Sequence, residues 1–236
     1  MPELITDPVA AARHPNKYLG TFGMFWLMFL LLAIYTAPKT FSIGSVVFSV
    51  GILSYPFTYI FSDIFTEVYG YRVTRRIVWT GFVCIILASL ITFIYSIIPP
   101  SESYIHDEAF NLIFRIGPVI TLAIIISFFS GELTNSFVLA KLKIRSRGNR
   151  EGVRYIASTF CGQVVDNTIF YTVVYAISGV YASHELIPII LSSVAFCTLW
   201  EMCMLPLTTR IIRYVKFKEG LDAYDHGTNF SPFSWK

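Results

Sequence analysis

Charge is what this sequence has least of. Aspartate, glutamate, lysine and arginine make up 14% of its 236 residues, against 55% hydrophobic residues, where soluble domains carry about a quarter charged. An ordinary soluble domain is excluded on that ground. Cysteine is also scarce: Cys84, Cys161, Cys197 and Cys203 all fall in apolar runs and none in a loop. They read as small hydrophobes, not as a disulfide or zinc framework. The four histidines (His14, His106, His184, His226) sit in tails or loops, never at ligand spacing within one helix, so neither a resident metal nor any other cofactor is expected. Catalytic signatures are missing too. There is no P-loop, no H-E-x-x-H, no G-x-S-x-G and no aspartate-rich prenyl-diphosphate motif. The chain is not expected to be an enzyme, and energy for any transport must come from a gradient, a partner or trapping of the substrate.

What the sequence does have is long apolar runs. Six approach the ~20 residues that cross a bilayer: Leu19–Ala37, Phe41–Val68, Ile77–Ile98, Ile116–Ala140, Tyr155–Ile177 and Ile187–Thr209. Pro56 lies inside the second, beside Gly51 and Ser54, and predicts a kink or a break there. Pro118 and Pro188 lie near helix starts, where proline is tolerated. Basic residues set the orientation. Arg13 and Lys17, Arg72, Arg75 and Arg76, the Lys141–Arg154 cluster, and Arg210, Arg213, Lys216, Lys218 and Lys236 share one side, leaving Lys39 and Arg115 opposite. The expected fold is all-α, a polytopic bundle of six transmembrane helices at residues 19–209. A tail at 1–18 and another at 210–236, frayed toward its end, are both expected in the cytoplasm. No cleavable leader is read in the first eighteen residues.

Against that apolar background five acids stand out: Asp63 and Glu67, Glu132, Asp166 and Glu201. A carboxylate at the centre of a spanning helix costs roughly 2.5–3.5 kcal/mol on insertion scales, so each must face protein or a wet cavity. Spacings of three and four place polar neighbours on the same faces. Tyr55, Tyr59, Asp63 and Glu67 form one stripe, Thr159, Gln163, Asp166 and Phe170 a second, and Thr198, Glu201, Leu205 and Thr208 a third. Asn135 follows Glu132 by three residues, and Asn167 adjoins Asp166. Asp63, Glu132 and Glu201 each precede a basic residue by nine positions (Arg72, Lys141, Arg210), which sets them about 13 Å inside the first charge of that face. Four helices thus bring acids to one slab with no lysine or arginine at that depth. Burial and crowding favour the neutral acid and predict binding that changes with pH. Glu67, nearer the surface, is expected to pair with Arg72, Arg75 or Arg76.

The block P-F-T-Y-I-F-S-D-I-F-T-E-V-Y-G-Y-R-V-T-R-R (Pro56 to Arg76) resembles the queuosine-precursor transporter family, six-span bacterial carriers of the vitamin-uptake type. G-E-L-T-N-S-F-V-L-A-K-L-K from Gly131, R-Y-I-A-S-T-F-C-G-Q-V-V-D-N-T-I-F from Arg154 and W-E-M-C-M-L-P-L-T from Trp200 resemble it in turn. The resemblance covers residues 20–215. It implies import of 7-cyano- and/or 7-aminomethyl-7-deazaguanine across the bacterial inner membrane. The residues suit that chemistry: a guanine-like edge offers adjacent N–H donors to a carboxylate, amides can meet its carbonyl, and aromatics can stack on its face. The expected substrate-binding residues are Asp63, Glu132, Asn135, Gln163, Asp166, Asn167, Glu201 and Tyr59, with Pro56 and Gly162 as flex points. Expected partners are a small deazaguanine base and the lipid bilayer, not nucleic acid; a homodimer is left open. The competing reading is a substrate-capturing membrane subunit for another vitamin or purine-like heterocycle, energised by a partner.

Overall fold

The computed structural model describes residues 4–37, 39–43, 46–114, 118–178 and 186–234. Arg115, Glu185 and Lys236 lie outside them. Helices dominate: α1 (Pro8–Arg13), α2 (Leu19–Thr36), α3 (Tyr55–Ile64), α4 (Tyr71–Ile97), α5 (Asp107–Phe114), α6 (Pro118–Arg145), α7 (Glu151–Ser178) and α8 (Leu186–Glu219). Four of them are long and apolar enough to cross a membrane: α2, α4, α6 from Leu122, and α8. α7 matches α6 in length at 28 residues, about 42 Å. Thr159, Gln163, Asp166 and Asn167 interrupt its hydropathy.

The outward faces explain the composition. α2 buries Trp26, Leu30, Ala33 and Ile34, one stripe at helical spacing, and exposes Met24, Phe25, Met28 and Leu32. α4 exposes Val83, Ile86, Leu87, Leu90, Ile91 and Ile94. Helices apolar on both faces belong in lipid, where the exposed side needs no polar cover. α2 and α4 meet where the Trp26 indole lies against Gly81, a position with no room for a side chain.

The second expected span is not one helix. Its first part, Thr40–Ile43 paired with Val46–Ser49, is an antiparallel hairpin with Phe41 opposite Phe48. A short 3₁₀ turn, Val50–Leu53, follows, and α3 begins only at Tyr55. The run is rich in β-branched and aromatic residues separated by serines, a composition that suits strands, and hydropathy alone cannot separate the two in short runs. Pro56 occupies the first turn of α3, where its missing N–H costs nothing; of the expected kink or break, the chain takes the break, and Pro56 starts the helix that follows it. α3 then widens into a π-helical turn, Phe65–Tyr69, that ends at Gly70. Gly70 has φ 85° and ψ 163°, a region that is essentially glycine's alone.

α6 packs along α7, and α7 along α8, with α3 laid across α6 and α8. The terminal segments also dock. Ile5 pairs with Leu221 in a parallel bridge, Tyr224 N donates to Thr6 O at 2.9 Å, and Ala223 N donates to Val68 O at 3.1 Å. Glu219 caps the start of α2, accepting from Tyr18 N at 2.8 Å and Lys17 N at 3.1 Å, a favourable place for a carboxylate. Further on, Arg75 Nη1 donates to the carbonyls of Asn229 (2.7 Å) and Ser231 (2.6 Å), and Trp79 Nε1 to that of Pro232 (2.8 Å). The expected frayed end is therefore held against α4 through Pro232.

Candidate functional site

The four deep acids converge. Tyr59 and Asp63 come from one face of α3, Glu132 and Asn135 from α6, Gln163 and Asp166 from α7, and Glu201 from α8. All are buried; Asp166 retains the most exposure, 5%. Asn167 is half-buried and turned along its own helix, its Nδ2 donating to Gln163 Oε1 at 2.8 Å. It orients the glutamine and leaves Gln163 Nε2 open.

α6 and α7 can bring these groups together because they cross at two glycines. A methyl built on Gly131 would lie 2.6 Å from both the Tyr59 hydroxyl and Asp166 Cβ, and 3.0 Å from the Gly162 carbonyl. One built on Gly162 would lie 2.9 Å from the Gly131 carbonyl and 3.0 Å from Asn135 Cβ. Small residues at such crossings let backbones approach. Gly162, one of the expected flex points, makes a close packing contact here.

Few partners exist inside. Asn135 Nδ2 donates to Asp63 Oδ1 at 2.9 Å, the Tyr55 hydroxyl donates to Asp166 Oδ2, and Ser62 and Ser136 share a hydrogen bond of 3.1 Å. Among the described residues, Asp63 Oδ2, both oxygens of Glu201, Asn135 Oδ1, Gln163 Nε2 and the Tyr59 hydroxyl are buried with no partner, and both oxygens of Glu132 are buried with only the Ser62 hydroxyl close by. None of the four acids joins an ion pair there. A buried polar group left unmade costs about 1–3 kcal/mol, more if charged. Native structures hold few such atoms, and a cluster of them calls for water or a ligand.

Glu67, one turn beyond Asp63, belongs to a different layer. Its partners are not the expected Arg72, Arg75 or Arg76. Arg154 of α7 grips it bidentately at 3.0 and 3.1 Å, and Lys216 of α8 reaches Oε1 at 2.7 Å. Lys143 of α6 stands 3.7 Å from the same oxygen and donates to the Glu67 backbone carbonyl at 2.6 Å. Asp222 accepts from Lys143 at 2.7 Å and lies 2.8 Å from Lys216. Burial would raise the Asp222 carboxyl, but these two ammonium groups outweigh it and hold it below its ordinary range. Sequence reasoning missed Lys143, Arg154, Lys216 and Asp222 because basic residues at helix ends look alike whether they face headgroups or a buried acid.

Lipid-facing helices around a buried set of acids and amides define a multi-pass membrane protein with an internal polar site. A family profile described as "Putative vitamin uptake transporter" matches residues 49–211, and the chain belongs to that family. The match takes in all eight expected site residues together with Glu67, Lys143 and Arg154. A relative from Bacillus subtilis (strain 168), "Probable queuosine precursor transporter", is 24% identical over 180 residues, which cover 75% of this chain and 78% of the relative. No solved structure matches.

Proposed function

We propose that this chain imports queuosine precursors, 7-cyano- and/or 7-aminomethyl-7-deazaguanine, across the bacterial inner membrane. In this reading Asp63, Glu132, Asn135, Gln163, Asp166, Glu201 and Tyr59 line the binding site, with Asn167 orienting Gln163. The observation that carries it is the cluster of buried, unpartnered carboxylate oxygens beside two amides. A deazaguanine supplies what these atoms lack: adjacent N–H donors for a carboxylate, and a carbonyl for Gln163 Nε2. An aminomethyl cation would engage a further acid. The family and the name of the Bacillus relative support the same chemistry. The segment from Tyr55 to Tyr69 and α7 complete six crossings with both termini cytoplasmic, supported by the bias of basic residues to one side. Alternating access around the buried site then moves the substrate.

The test is a bacterial host that neither makes the deazaguanine nor has its own importer, supplied with each precursor at low concentration. Queuosine in tRNA is the readout, with Asp166→Asn and Glu132→Gln alongside. Rescue by the parent chain, lost in the expressed variants, supports the function and the site. Rescue by all three keeps the function and removes those acids from the site. No rescue despite membrane expression refutes the substrate.

A further inference from the structure

Below the unpaired acids lies the Glu67 layer, in which each charged side chain joins an ion pair, and its construction follows the acid layer element by element. The helix that supplies Asp63 supplies Glu67 four residues on. α6 supplies Glu132 and then Lys143; α7 supplies Arg154 and then Asp166; α8 supplies Glu201 and then Lys216. By helix rise the separations are roughly 6, 16, 18 and 22 Å, all toward the same end of the bundle. Every element that lends an acid to the site therefore lends one arm to this layer, and the C-terminal segment adds Asp222.

We propose that this ion-pair layer is the gate on the basic-loop side of the binding site, with Glu67 as the residue on which the arms close. The inference rests on reading the chain as a transporter. A buried ion network is a weak stabiliser, since desolvating its charges offsets their attraction, and a well-packed apolar plug would hold the fold as well or better. Charges do what an apolar plug cannot. When the arms part, water replaces the lost partners and the open state carries little penalty, whereas separated apolar faces would be exposed. The π turn and Gly70 complete the device. They free the Glu67 carbonyl to accept Lys143, so α6 is held to both the side chain and the backbone of one residue. The tail arm is fastened independently through Ala223 N to Val68 O, which keeps Asp222 across Lys143 and Lys216 while the helices are together.

The chain carries its own reporter. Cys197 is buried at 3% exposure and lies on α8 one turn before Glu201. With Cys84, Cys161 and Cys203 replaced by alanine, labelling of Cys197 by a membrane-impermeant maleimide reads access to the site, in right-side-out and inverted vesicles. Glu67→Gln and Lys216→Gln are expected to label about tenfold faster from the basic-loop face, since removing one partner of a buried pair leaves the other uncompensated. Labelling from the opposite face stays at the parent rate, and Lys216→Arg labels like the parent on both. Unchanged labelling from the basic-loop face in variants that remain monodisperse overturns the proposal, as does an equal rise from both faces, which marks a general strut. Should Glu67→Gln fail to fold, Lys216→Gln and Asp222→Asn at the rim give the same reading. No substrate is added, so failure of the queuosine-precursor reading leaves this result standing.

Discussion

Replacing Gly131 by alanine tests the crossing on which the site depends. The new methyl would sit 2.6 Å from Asp166 Cβ and from the Tyr59 hydroxyl, and 3.0 Å from the Gly162 carbonyl. Tyr59 can swing away, but Asp166 Cβ and the carbonyl are fixed to the α7 backbone, so the helices must separate. Overpacking of that kind costs up to about 3 kcal/mol, and the gain in helix propensity from glycine to alanine returns about 1 kcal/mol. A net loss near 2 kcal/mol lowers Tm by roughly 4–8 °C in a chain of this size. Gly162→Ala, whose contacts are 2.9–3.0 Å, should lose less. Gly23→Ala on α2, with nothing within 4 Å, should match or exceed the parent. The assay is thermal unfolding of purified protein in detergent, followed by loss of the monodisperse peak. The order Gly131→Ala, Gly162→Ala, Gly23→Ala from least to most stable is required. A Gly131→Ala protein as stable as Gly23→Ala would refute the close crossing and the positions of Asp166 and Tyr59 that rest on it.

Other perturbations address the docked termini. Because the folded state holds the Asp222 carboxyl below its ordinary range, its contribution is present above the unfolded value of about 3.9 and lost as pH falls through the folded one. Thermal stability should therefore decline below about pH 4 in the parent and less steeply in Asp222→Asn, as a Tm series against pH would record. Gly70→Ala forces a side chain into a glycine-only backbone region, with Ala223 Cβ 3.2 Å away, and should cost about 1–3 kcal/mol in the same unfolding assay. Arg75→Gln removes both bonds to the Asn229 and Ser231 carbonyls. It should make the segment after Leu221 sensitive to limited proteolysis while the helical bundle stays intact.

The acid positions were legible because lipid leaves a carboxylate few options. An acid in a spanning run must turn inward, and helical spacing then tells which neighbours accompany it. Asp63, Glu132, Asp166 and Glu201 are each buried, with 5% exposure or less, as an inward-turned acid must be. The hairpin at Thr40–Ser49 was not legible, since a run of valine, isoleucine, phenylalanine and serine satisfies a hydropathy window whether it forms strands or a helix. The partners of Glu67 were misassigned for a local reason. Gly70 breaks the chain direction, so Arg75, near in sequence, restarts on a new helix and faces the C-terminal segment, while Arg154 and Lys216 arrive from 87 and 149 residues away. Order in the tail depends on backbone pairing between Ile5, Val68 and the stretch after Gly220, and polar composition carries no trace of such distant partners.

The two layers differ in charge balance, and the difference bears on what the site does when empty. Lys143, Arg154 and Lys216 face Glu67 and Asp222, one cation in excess. At about 10 Å and an effective dielectric near 20, that excess is worth roughly 1.7 kcal/mol to an acid above it. Desolvation of one buried ion costs several kcal/mol, so the lower layer cannot by itself sustain four carboxylates with open oxygens. On the proposed function, the empty site is therefore a place where the fold gives up stability that a donor-rich ligand would restore. Glu132→Gln should then unfold at the parent temperature or above it, because the amide keeps the shape and the reach to the Ser62 hydroxyl and removes a buried acid that joins no ion pair. The precursor should raise the parent's Tm, by about 2.7 kcal/mol of stabilisation at a hundredfold excess over Kd, and do so far less in the variant. A Glu132→Gln protein several degrees less stable than the parent would show that the carboxylate has a partner the fold depends on, and Glu132 would then be structural.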